Sequence, residues 1–446
     1  MSSSAHPEVV LSSAIALPIA QRARRRVRRR LLPFLFVLYV IAYLDRVNVS
    51  YAALEMTGSL GFTPEVYGFG AGIFFFGYFL LEIPGTIVVE KWSARRWMAR
   101  IMVSWGIVAI CAGFIHTAGQ FYWVRFLLGA AEAGFFPGMI VYLSHWVRQE
   151  DRGKAMAMFV AAQPIANMVG SPISGLLLGI HWFGVAGWRW LFILEGLPAV
   201  ILGVVTFFYL TDWPHQAKWL PEEEREWITS ELEQERRAKQ AAQLMSAWQA
   251  LRQREVLQLT AAYFCAASSV YGFSFWFPTL LKRLSGFSNL SVSLIASLPY
   301  CAGLAAMLLV GWSSDRNRER HWHTATCFLL ISVGLAASAL YSGVVFSVAM
   351  FCIAAAGMFG YLPSFWPIPT SFLAGTAAAA CVGLINSVGN LGGFAGPYIV
   401  GYLTKRTHSF LAGVIYLSFS GLLAAGLVLS LRPSRRKIGS IQQSRG

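Results

Sequence analysis

Asp45, Arg46, Glu82, Arg125, Glu132 and Glu195 all lie inside long apolar stretches of the first half of the chain. If those stretches cross a membrane, each charge at mid-span costs at least about 2.5–3.5 kcal/mol, which makes each a candidate for function. Asp45 and Arg46 are neighbours, and helical neighbours point about 100° apart, so at most one looks straight into a given cavity. Arg125 precedes Glu132 by seven residues, almost two turns, so the two share a face. An ionised carboxylate beside an arginine is stabilised by it, while burial works against the charge. A pair about 4 Å apart at an effective dielectric near 20 interacts by roughly 4 kcal/mol. Protonating the acid frees the guanidinium, which then seeks another anion. Proton and solute anion would each raise the affinity for the other.

Such groups need helices to hold them at one depth. Apolar runs of the length that spans about 30 Å of hydrocarbon recur from Pro33 almost to the end. They predict an all-α membrane protein of twelve transmembrane helices. The expected organisation is a basic tail over 1–32, six helices over 33–211, a charged linker over 212–255, six helices over 256–431 and a second tail over 432–446. The first span would start near residue 33 and run outward; the fourth would start near residue 121 and run inward. Asp45 and Glu132 then fall within roughly 6 Å of the same depth, at about 1.5 Å per residue.

The balance of charge supports this layout. The chain of 446 residues is 56% apolar, only 13% charged, and carries a net charge of +15. That charge is placed for a membrane rather than for nucleic acid. Arg22, Arg24, Arg25, Arg26, Arg28, Arg29 and Arg30 stand just before the first run. With the N-terminus inside, the segments on the cytoplasmic side hold 29 basic residues and the outer loops 5. Both termini are therefore expected in the cytoplasm. Six scattered cysteines form no Cys-x-x-Cys pair, and no His-x-x-x-His pair occurs. No metal, cofactor or disulfide is expected. Pro221 followed by Glu222, Glu223 and Glu224 reads as the start of a linker helix.

The two sets of six read as repeats. Gly85 precedes Glu90-Lys91 and Gly311 precedes Asp315-Arg316, an offset of 226 between the glycines. Asn167, Gly170, Pro172 and Gly175 correspond to Asn390, Gly393, Pro397 and Gly401, with an offset of 223 between the asparagines. Two similarities at nearly one offset indicate a duplicated six-helix unit. No nucleotide-binding glycine loop is present, which argues against a pump driven directly by ATP. No repeated polar ring of a channel filter is visible.

Certain residues carry a resemblance. The first span reads Tyr43-Leu-Asp45-Arg46-Val-Asn48, and the fourth runs from Arg125 through Gly129, Glu132, Gly134 and Pro137 to Gly138. The eleventh contains Asn386, Gly389, Asn390, Gly393, Gly396 and Pro397. Over roughly 30–430 the chain resembles the major facilitator superfamily, and within it the anion:cation symporters, which include permeases for tartrate, phthalate and sugar acids. The resemblance implies two pseudo-symmetric six-helix halves and proton-coupled uptake of a small organic anion by alternating access, with no enzymatic reaction. It implies proton sites at Asp45 and Glu132, and substrate contacts at Arg46, Gln163 and Asn390.

Other expectations rest on position. Arg125 either joins the substrate site or only holds Glu132 or a backbone carbonyl. Tyr271, Trp276, Tyr361, Trp366 and Asn386 are candidates to line the cavity, with interfacial anchoring the alternative for the aromatics. Glu90, Lys91, Asp315 and Arg316 are the candidate gating residues. Glu82, near Pro84, could bind a neighbouring helix, and Glu195 could pair locally with Arg189. The second half offers no acid within a span, so carboxylate coupling must reside in the first. The expected partners are protons, the anion and lipid, around a monomer in the inner membrane. An organophosphate or anion antiporter is the alternative, since two intramembrane arginines suit a phosphate.

Overall fold

The computed structural model describes residues 7–241, 251–341, 343–372 and 375–431. Every regular element among the described residues is helical. The first half comprises α1 (Pro7–Ser59), α2 (Pro64–Lys91), α3 (Ala94–Ala112), α4 (Ala118–Glu132), α5 (Phe135–Ser144), α6 (Gln149–Val160), α7 (Ala162–Leu178) and α8 (Gly187–Tyr209). The linker carries α9 (Glu222–Ala241). The second half comprises α10 (Arg254–Ser285), α11 (Asn289–Asn317), α12 (His321–Ser338), α13 (Val344–Gly360), α14 (Leu362–Phe365), α15 (Pro367–Phe372), α16 (Gly375–Asn390), α17 (Gly392–Thr407) and α18 (Leu411–Leu429).

These helices make twelve rods, because α4/α5, α6/α7, α13/α14/α15 and α16/α17 are each one bent span. Among the described residues, nine rods are long and apolar enough to cross a membrane on those criteria alone. The rods α3, α12 and α16/α17 complete the two sets of six. Large apolar side chains such as Leu80, Ile83, Phe208, Leu309, Val345 and Phe419 are exposed on the outside of the bundle, as a lipid-facing surface requires.

Sequence chemistry explains the local features. Thr63 caps α2 through the Val66 N–H, and Thr117 and Gln120 form a capping box on α4. The fourth span breaks at Gly134, which adopts φ +82°. A side chain there would stand 3.0 Å from the Cα of Gly85. Only glycine permits both the left-handed turn and this approach of α2. The first helix continues well before residue 33. On the tail side, Arg24 pairs with Glu150 at 2.8 Å and Asp151 at 2.7 Å, and Arg26 pairs with Glu224 of α9 at 3.0 Å.

The halves meet mainly through α2 against α17 and α7 against α11. These contacts gather at the end remote from the tails. There Lys405 pairs with Glu65 at 2.6 Å, and Asn289 donates to Glu55 at 2.9 Å. Tyr67 donates across the interface to the Phe275 carbonyl at 2.8 Å. Towards the tails, no ion pair joins the two six-helix sets among the described residues.

Candidate functional site

The central cleft lies between the halves. Tyr39, Tyr43 and Arg46 of α1 line it at spacings of four and three, which is one helical face. Tyr78 of α2, Phe136 of α5 and Gln163 of α7 complete the wall from the first half. The opposite wall is Tyr263, Val270 and Tyr271 of α10, Met358 and Phe359 of α13, Tyr361, Trp366, and Asn386 with Asn390 of α16.

Arg46 dominates the electrostatics. Its Nη2 makes an ion pair with Glu132 Oε1 at the end of α4. Its Nη1 donates to the hydroxyl of Tyr271, in the other half, at 3.3 Å. The rings of Phe74, Tyr78 and Tyr43 stand 5.2, 5.2 and 5.6 Å from the guanidinium carbon, within cation–π range. Arg46 Nε has no protein acceptor. The pair is buried, with side chains 9% and 3% exposed.

Asp45 faces elsewhere. It is 1% exposed and accepts a hydrogen bond from Trp105 Nε1 of α3 at 2.7 Å. Asn48 Nδ2 donates to its other oxygen at 3.4 Å. Arg46 therefore finds its carboxylate in Glu132 and not in its chain neighbour, as the 100° between adjacent side chains allows.

Arg125 is buried but does not line the cleft. Its Nη2 donates to the Ala71 carbonyl at 3.2 Å, while Phe74 and Phe275 stand 5.1 and 5.9 Å from its guanidinium carbon. The cleft thus holds one arginine, and the two-arginine arrangement that suits a phosphate is not assembled there.

The other expected residues divide as follows. Gln163, Tyr271, Trp366, Asn386 and Asn390 all reach the cleft. Gln163 Nε2 donates to the Tyr39 hydroxyl at 2.5 Å. Trp276 turns away and donates to the Pro397 carbonyl at 3.0 Å. Asp315 pairs with Arg320 at 2.5 Å within its own half, and Arg316 lies over Trp312 at 5.4 Å. Lys91 is exposed at the end of α2, and the Glu90 side chain falls outside the described residues.

Two acids have partners that the sequence reading did not provide. Glu82 accepts from Asn386 Nδ2 and, at 2.7 Å, from Ser387 Oγ, so it bridges the halves. Glu195 does not pair with Arg189, which instead donates to the Gly113 carbonyl at 2.7 Å. Glu195 accepts from Ser174 Oγ of α7 at 2.8 Å. A separation of six residues leaves Arg189 and Glu195 on different faces of α8. The tyrosines Tyr39, Tyr43, Tyr78 and Tyr263 were also missed. The i, i+4, i+7 spacing of Tyr39, Tyr43 and Arg46 was the available signal.

Comparison with known proteins supplies context. The sequence model of the Major Facilitator Superfamily matches residues 35–397. A protein of Agrobacterium vitis named "Putative tartrate transporter" is 44% identical over 415 residues, covering 93% of this chain and 95% of that protein. The "Quinolone resistance transporter" of Acinetobacter baumannii is 39% identical over 409 residues, covering 91% and 93%. A crystal structure of a bacterial homologue of the human lysosomal transporter Spinster superposes with a TM-score of 0.71 at 15% identity, covering 91% of this chain and 95% of that one. At that identity the likeness concerns the fold alone.

Proposed function

Because the chain belongs to the Major Facilitator Superfamily, and so is a multi-pass membrane transporter and not an enzyme, we propose that it imports a small organic anion together with protons. The substrate class is a mono- or dicarboxylate, and a tartrate-like hydroxy acid is the first candidate. The observation that carries this reading is the buried Arg46–Glu132 pair at the wall of the cleft, hydrogen-bonded to Tyr271 of the other half.

Protonation of Glu132 discharges the pair and leaves Arg46 without its counter-ion. A substrate carboxylate then takes that place, and Tyr271 carries the change to the second half. Loss of the proton restores the internal pair and expels the anion. The tyrosine hydroxyls around the cleft and the amides of Gln163, Asn386 and Asn390 suit the hydroxyl groups of a hydroxy acid. A relative named for tartrate agrees with this choice. Each net charge gains about 2.3 kcal/mol per 100 mV of membrane potential, comparable with the pair energy.

Alternating access supplies the path. Residues 33–211 and 256–431 act as the two rocking units around the cleft. With both termini in the cytoplasm, the seal at Glu65–Lys405 is the outer gate. Asp315, Arg316, Glu90 and Lys91 meet across the inner side when the protein turns outward. A monomer suffices, since one chain contains the whole cleft.

The test is tartrate uptake by proteoliposomes under an imposed pH gradient. Accumulation that grows with the gradient is expected. Uptake indifferent to it rejects coupling, and counterflow that depends on internal phosphate favours an antiporter.

A further inference from the structure

Behind the cleft, between α1, α3, α7 and α8, lies a second acidic centre that the Arg46–Glu132 pair does not explain. Glu195 is 6% exposed, and Ser174 occupies one of its oxygens. Its Oε2 is buried with no hydrogen-bond partner. No lysine, arginine or histidine forms an ion pair with it among the described residues. Asn48 stands between Glu195 and Asp45, its amide nitrogen donating to Asp45 at 3.4 Å and also facing the Glu195 carboxylate. Asn48 Oδ1 is likewise buried with no donor.

Glu195 and Asp45 are two buried carboxylates with one amide between them, and neither has a cation paired to it among the described residues. A buried acceptor left unpaired costs roughly 1–3 kcal/mol, and two carboxylates that share a site disfavour double ionisation. One proton on the pair relieves both: it fills the unpaired Oε2 of Glu195 and leaves a single negative charge for the amide to hold.

We propose that Asp45 and Glu195 form one proton-storing pair bridged by Asn48, with Glu195 as the station nearer the remote surface. This rests on the reading of the protein as a proton-coupled transporter. Counting about 1.5 Å per residue from the helix ends, Glu195 lies roughly 12 Å from the start of α8, whereas Asp45 lies roughly 21 Å from the end of α1. A proton entering from that side reaches Glu195 first. In the transfer, the O–H bond of Glu195 breaks, that of Asp45 forms, and the pair keeps a charge of −1. The other titratable or charged groups facing the centre are Tyr51 of α1, Tyr300 of α11, and Glu132 and Arg125 of α4. Tyr51 already hydrogen-bonds Ser171. None of them gives Glu195 a counter-charge.

The experiment uses the full chain in vesicles of phosphatidylethanolamine and phosphatidylglycerol, with labelled tartrate as the probe. Glu195→Gln is expected to lose at least about tenfold in gradient-driven accumulation relative to its own counterflow rate, with partial return in Glu195→Asp. Accumulation within about twofold of the unsubstituted protein, on the same scale, overturns the pair. A second readout is the carboxylic-acid C=O stretch in infrared spectra. A band that disappears in Glu195→Gln, or shifts in Asn48→Leu should the first variant not fold, supports the shared proton. Absence of such a band, or its indifference to Asn48, overturns it. If the unsubstituted protein ignores the pH gradient, the transport reading fails while the infrared result still decides the pair.

Discussion

Arg46 of α1 is ion-paired to Glu132, 86 residues further along the chain, at the point where α4 ends. The pair ties the first span to the fourth on the wall of the cleft. Tyr271, 225 residues from Arg46, extends the same network into the second half. One guanidinium therefore touches the Glu132 carboxylate, the cleft and the opposing half, so a change at any of the three is felt by the others.

Arg46→Gln is expected to lower tartrate uptake by roughly 100-fold, since truncating one member of a buried charge pair costs about 2–5 kcal/mol. Arg46→Lys should recover little, because an ammonium cannot hold Glu132 and Tyr271 in the fork geometry of a guanidinium. Initial rates in proteoliposomes measure both. Near-normal uptake by Arg46→Gln would place the anion elsewhere.

Glu132→Gln imitates the protonated acid and leaves Arg46 permanently available. Tartrate binding to the unsubstituted protein should tighten as pH falls, while binding to Glu132→Gln should be tight and nearly independent of pH. Calorimetric titration at several pH values checks this. The same variant should fail to accumulate substrate under a pH gradient; equal pH slopes in both proteins would remove Glu132 from the coupling.

Glu82 receives Asn386 and Ser387 from the opposite half. Glu82→Ala removes both bonds and should let the halves part on the tail side. Spin labels at the exposed positions Lys154 and Asn317 are expected to report a longer, broader distance distribution in the variant. An unchanged distribution would make Glu82 a passive filler.

His145, just beyond α5, stacks on Trp213 with ring centroids 4.0 Å apart. Burial, aided by the nearby Arg236 cation, pulls its pKa down to about 4 from the usual 6.5. Between those values the unfolded chain binds the proton more readily, so stability contributed by the neutral ring is present above about pH 6.5 and is lost as pH falls towards about 4. The melting temperature should be lower near pH 5 than near pH 7, and His145→Phe should reduce that difference. Equal pH dependence in the two proteins would refute the assignment.

The sequence by itself determined the membrane class and the twelve-rod plan. Lengths of apolar run and the placement of charge are local quantities, and a bilayer leaves a helix few ways to satisfy its backbone. The spacing of four put Asn386 and Asn390 on one face of the eleventh span, the family resemblance added Gln163, and counting along the helices placed Asp45 and Glu132 at nearly one depth. Which partner each charge takes was decided by tertiary packing. Arg46 chose Glu132 over Asp45, Glu82 crossed to Asn386, Arg125 withdrew to the Ala71 carbonyl, and Glu195 turned from Arg189 to Ser174. Periodicity gives the face of one helix only. The rotation of each helix against its neighbours, which follows from close packing at residues such as Gly134 and Gly85, sets which faces meet.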